Sequence, residues 1–142
     1  MKPHALLLLC ALGATAQAAP PQNHDAAARQ CIAENSGAGS VDCLKSIFWE
    51  TQRTHARLEK ALLGMLKKQR QADELTPTHH QLAVSSLADA ARKFEAFRER
   101  QCDFALGASG SVASGAEQVR WQCRIRLNDW RTQYLQQLLG DG

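Results

Sequence analysis

The chain has 142 residues, of which 44% are hydrophobic and 22% charged, with 17 Lys and Arg against 14 Asp and Glu for a net charge of +3. That length suits one domain with one core. The charge excess is too slight to demand an anionic partner, and nothing in it points to nucleic acid.

At the start, Lys2 supplies a positive n-region and Ala5–Ala14 an apolar h-region. Ala16-Gln17-Ala18 then places small residues at −3 and −1 of a cleavage site. Residues 1–18 therefore read as a signal peptide and residues 19–142 as a single mature domain, exported to the periplasm or secreted. Loss of Lys2 with the leader lowers the net charge by one. The h-region is too short to span a bilayer, and no other stretch approaches about 18 apolar residues, so no transmembrane segment is expected. Cys10 belongs to the h-region, because Leu9 before it is not the small residue that lipidation requires.

Four cysteines remain: Cys31, Cys43, Cys102 and Cys123. An even count in an exported chain reads as two disulfides with three possible pairings. The sequential pairing, 31–43 and 102–123, closes short loops flanked by helix ends. No C-x-x-C pair is present, which argues against zinc.

No run of alternating β-branched and aromatic residues occurs, so strands are not expected. Asp25–Asn35 reads as a short Ala-rich helix stopped by Ser36-Gly37-Ala38-Gly39. Ser40 is the expected cap of the next helix, with Asp42 in its first turn. Leu44, Phe48, Thr51, His55, Leu58, Leu62 and Met65 then form one seam of a helix running to about Ala72, roughly 45 Å long. Thr76-Pro77 starts the third helix, whose face is Leu87, Ala90, Ala91, Phe94 and Phe97, as far as about Phe104.

Between Cys102 and Cys123 lies GASGSVASGA, and Gly107–Gly115 reads as a Gly/Ser loop clamped at its base. Ser114-x-x-Glu117 has the form of a capping box for the last helix. That helix carries the stripe Val119, Cys123, Leu127, Trp130, Tyr134 and Leu138 and stops at Gly140. The expected fold is all-α, a small antiparallel bundle of three long helices and a short N-terminal one, stapled by two disulfides.

This arrangement resembles the LprI-type lysozyme-inhibitor family. Cys31 and Cys43 match its first cysteine pair, Phe94-Glu-Ala-Phe97-Arg98-Glu-Arg-Gln-Cys102 its second block, and the run from Cys123 through Arg131 to Leu135 its last. The match covers roughly residues 28–136. The family commonly has Gln and Trp at the positions of Ala91 and Phe94. It has Asp, Asn and Tyr at those of His55, Glu59 and Leu62, and Thr at that of Asn128. The resemblance implies an exported inhibitor with lysozyme as protein partner, and it singles out Arg98 and Arg131. A structural part for these arginines, bonding loop carbonyls or a carboxylate such as Asp103 or Glu117, is the default expectation.

No enzyme constellation is present. The serines at 109, 111 and 114 have no neighbouring histidine or nucleophile elbow. His79 and His80 point about 100° apart on a helix, which is poor geometry for a shared metal. Neither metal nor cofactor is expected. Small residues suit entry into a narrow sugar cleft, so Gly107, Ser109, Gly110, Ser111 and Ser114 are the expected partner-binding loop, acting by steric occlusion. Animal-type lysozymes are strongly basic, so a weakly positive chain gains no general steering toward them. The alternative is an envelope adaptor that binds an anionic polymer or a protein through a basic face of Arg120, Arg124 and Arg131. Trp49 and Trp121 are expected to pack beneath the short helix and the loop. Nothing in the sequence specifies an oligomeric state.

Overall fold

The computed structural model describes residues 23–140; the proposed leader lies outside them. Four helices follow in order: α1 (Asp25–Glu34), α2 (Gly37–Gln71), α3 (Pro77–Ser109) and α4 (Ala113–Gly140). No strand occurs among the described residues. The disulfides are Cys31–Cys43 and Cys102–Cys123, the sequential pairing. The all-α bundle expected from the periodicity and the two staples expected from the cysteines are the ones found.

Local chemistry explains most boundaries. The side chain of Asn35 donates to the Cys31 carbonyl and satisfies the end of α1. Gly37 opens α2 at φ +50°, a conformation that favours glycine. Thr76 caps α3 by accepting from the His79 amide, with Pro77 in the first turn. Gly110 ends α3 in the left-handed region at φ +63°.

Several boundaries differ from the sequence reading. The N-cap position of α2 is Ser36, whose side chain makes no capping bond, while Ser40 is buried one turn inside, bonds back to the Gly37 carbonyl and accepts from Gln118. The third helix runs on past Phe104 to Ser109, since Ala105, Leu106 and Ala108 sustain it through Gly107. The last helix begins at Ala113, ahead of Ser114, so the proposed capping box does not form. Its first turn is closed by the Ala116 amide on the Val112 carbonyl.

The main core joins Ala28 and Cys31 of α1, Leu44 and Phe48 of α2 and Ile125 of α4, with Ile32, Cys43, Ile47 and Trp121 packed against it. Leu44, Phe48, Thr51, His55 and Leu62 are buried as their seam predicts. On α3 the buried positions are Phe94, Arg98 and Cys102, whereas Phe97 is half exposed. On α4 the predicted stripe is displaced. Its buried face is Ile125, Asn128, Asp129, Arg131, Thr132 and Leu135, and Trp130 and Tyr134 are about half exposed. An apolar template passes over a helix whose inner face is mostly polar. Trp121 joins the core as expected, but Trp49 is exposed, in a T-shaped pair with Phe48.

Candidate functional site

Midway along the bundle, α2, α3 and α4 bring polar side chains into one buried layer. Asn128 of α4 lies at its centre. Its amide donates to Thr51 Oγ1 at 2.7 Å and Gln52 Oε1 at 3.0 Å, and its oxygen accepts from Arg98 Nη1 at 2.9 Å. Thr51 donates onward to the Phe48 carbonyl. Arg98 also bonds Gln52 at 2.7 Å and Glu99 at 3.2 Å, and its guanidinium lies 5.0 Å from the Phe48 ring centroid and 5.9 Å from that of Phe94. Thr51, Gln52, Arg98 and Asn128 spend their donors and acceptors largely on one another, as a buried network favours.

His55 Nε2 lies 2.7 Å from the Asn128 carbonyl oxygen, and the imidazole and the Phe94 ring form a T-shaped pair. Burial lowers the pKa of His55 below the ordinary 6.5; the nearby Arg98 and Arg131 lower it further, against the opposing effects of the Asn128 carbonyl and Asp129. Arg131 is buried with its guanidinium 5.5 Å from the Phe94 ring centroid. Its Nη2 is 3.7 Å from Glu59 Oε1, and Nε and Nη2 have no hydrogen-bond partner.

Arg98 and Arg131 are both buried, but the groups beside them are not the ones named from the sequence. Glu99, Gln52 and Asn128 serve Arg98, and Glu59 faces Arg131; Asp103 and Glu117 instead engage Arg120. The basic face expected of Arg120, Arg124 and Arg131 does not form. Arg131 is buried, Arg124 pairs with Glu99 and covers Trp121, and Arg120 is held by two carboxylates. These side chains point into the helix contacts, where carboxylates and rings compensate their charge.

Beside the polar layer, α2 and α3 enclose a cleft of about 140 Å³ lined by Gln52, His55, Ala56, Glu59, Ala91, Phe94 and Glu95. Four residues that the sequence reading set apart, His55, Glu59, Ala91 and Phe94, lie together on its walls. A larger hollow of about 570 Å³ runs along the end of α2 past Lys68 to Glu74. It is nearly all one helix surface and gathers no convergent polar groups.

The proposed loop 107–115 is mostly helix. Gly107 and Ser109 belong to α3, Ser114 and Gly115 to α4, and only Gly110, Ser111 and Val112 connect them. Ser109 donates to the Leu106 carbonyl and accepts from the Ser111 amide, which sets the turn. Val112 is 79% exposed at the apex, and Ala113 enters α4 at φ +53°. The segment folds this way because alanines and serines flank its glycines on both sides, and a cross-link two turns below fixes the helices in antiparallel register.

The sequence reading missed Gln52 and the central place of Asn128. Thr51 and His55, polar residues on an otherwise apolar seam, were the available signal. It also missed the anchor of α1, where the His24 amide and ring Nδ1 both donate to the buried carboxylate of Asp129. Among the described residues no group of His, Cys, Asp and Glu is placed to hold a metal ion, and no helix is long and apolar enough to cross a membrane.

The family model described as Lysozyme inhibitor LprI matches residues 16–135. No curated protein and no solved structure matches the chain.

Proposed function

We propose, because the chain belongs to the LprI lysozyme-inhibitor family, that it is an exported protein that binds a lysozyme and occludes its sugar cleft without chemistry of its own. The observation that supports this mechanism is the clamped tip of the α3–α4 hairpin, held by Cys102–Cys123. A pre-ordered tip loses little conformational entropy on docking, so more of its contact energy appears as affinity.

The shape of the tip narrows the mechanism. Two helices side by side measure about 20 Å across, too broad for a saccharide groove. Only Gly110-Ser111-Val112 is slender enough to enter, while the helix ends cover the mouth. Ser109 is committed within the turn, but the Ser111 and Ser114 hydroxyls have no hydrogen-bond partner among the described residues. Ser111, on the part that enters, is available to the catalytic carboxylates of a glycoside hydrolase, whereas Ser114 lies on the helix end at the mouth.

The test is clearing of a peptidoglycan suspension by several lysozyme types in the presence of the mature protein. Protection at micromolar concentration is expected, and it should vanish when Gly110–Val112 is exchanged for a longer flexible linker. Unimpeded clearing by every lysozyme would rule the inhibitor reading out.

A further inference from the structure

The cleft between α2 and α3 holds polar capacity that the fold leaves unused. His55 lines it while only 7% exposed. A carbonyl oxygen can only accept, so the contact with Asn128 places the proton of the neutral ring on Nε2. Nδ1 is then an acceptor, and among the described residues it has no partner. Glu95 on the facing wall makes neither ion pair nor hydrogen bond among those residues. The carboxylate of Glu59 comes no nearer than 3.7 Å to Arg131, beyond hydrogen-bond reach. Gln52 Oε1 is already occupied twice. The unused groups are therefore mainly acceptors on both walls, and the small side chains of Ala56 and Ala91 keep the space between them open.

We propose that this cleft receives one basic side chain of a protein partner, a guanidinium in preference to an ammonium. A guanidinium offers five donors in a rigid plane, enough to reach His55 Nδ1 and a carboxylate on each wall together. An ammonium is a compact point charge and spans fewer of them. The resident arginines limit occupancy. Arg98 and Arg124 share Glu99, and Arg131 faces Glu59, so one added cation is held by Glu95 and the second Glu59 oxygen.

The proposal rests on the inhibitor reading for its partner: a basic lysozyme carries such side chains. It also gives a weakly positive inhibitor a local attraction where overall charge supplies none. Glu95 and Gly110 are about 22 Å apart along α3. A protein interface of ordinary size is roughly 30 Å across, so one partner can touch tip and cleft together.

The experiment titrates the isotope-labelled mature protein with N-acetyl-arginine amide, N-acetyl-lysine amide and N-acetyl-glutamine amide, following the ring nitrogens of His55 by NMR. A saturable shift is expected with the arginine derivative, a weaker one with lysine and none with glutamine. Glu59→Gln and Glu95→Gln should each weaken it about tenfold, and Ala91→Leu should abolish it by filling the space. No saturable shift, an equal response to glutamine amide, or indifference to both glutamate substitutions would overturn the proposal. Lysozyme is absent from this titration, so its result is independent of inhibition. Saturable binding without peptidoglycan protection would sink the inhibitor reading alone. Protection that survives the Glu59→Gln/Glu95→Gln pair, with no titration, would sink the cleft alone.

Discussion

Arg98 is the side chain whose replacement separates a structural arginine from a partner-contacting one. Its Nη1 serves Gln52 and Asn128 together while its plane covers Phe48. Lysine carries the charge but cannot reproduce the fork or the flat contact. Arg98→Lys is therefore expected to cost about 1–3 kcal/mol, because buried acceptors are left unpaired. Urea unfolding measures this, and a midpoint equal to wild type would overturn the structural account of Arg98. His55 gives a second prediction at this scale. Its folded pKa lies below the 6.5 of the unfolded chain, so the unfolded state binds the extra proton first. The stabilisation from a neutral His55 is complete above pH 6.5 and is lost as pH falls through that value toward the lower folded pKa. His55→Gln keeps a donor for the Asn128 carbonyl and removes the titration. Between about pH 7.5 and pH 5 the wild type should lose more stability than this variant; parallel losses would contradict the assignment.

Among the elements, the α3–α4 turn was the least legible in the sequence. Gly107–Gly115 has the composition of a linker, yet two long helices leave only three residues of it free. Composition describes what a segment does in isolation, whereas a disulfide and flanking helices impose register from outside. Helix α4 failed for the converse reason. Its inner face carries Asn128, Asp129, Arg131 and Thr132, so the apolar stripe found by periodicity marks the α3 side and solvent. By contrast, the α2 seam and the Thr76-Pro77 start were readable, because apolar spacing and capping chemistry act locally. The turn also contains a residue at odds with its backbone. Ala113 sits at φ +53°, with its methyl in a left-handed conformation that glycine adopts at little cost. Ala113→Gly should stabilise the protein by about 1 kcal/mol. Calorimetry decides it, and a lowered Tm would mean that the turn does not hold this conformation in solution.

Over the whole molecule the packing is uneven, and the unevenness bears on function. Both disulfides, the main core and the Ser40–Gln118 bond lie at the end of the bundle that carries the α3–α4 tip. Each cross-link is worth about 3 kcal/mol by the chain-entropy estimate. At the opposite end, none of residues 63–93 is buried, so the end of α2 and the start of α3 form a two-helix arm with little core beneath it. Such an arm should open in local steps far below the global unfolding free energy, because few apolar contacts are lost when it does. Hydrogen exchange under native conditions is expected to show amides of residues 63–90 exchanging early. Amides around Cys43, Cys102 and Ile125 should exchange only with global unfolding, and reduction of the disulfides should narrow the gap. Uniform protection along α2 and α3 would refute the uneven design. If the gap is found, the stapled end is the rigid one, as the proposed docking of the tip requires.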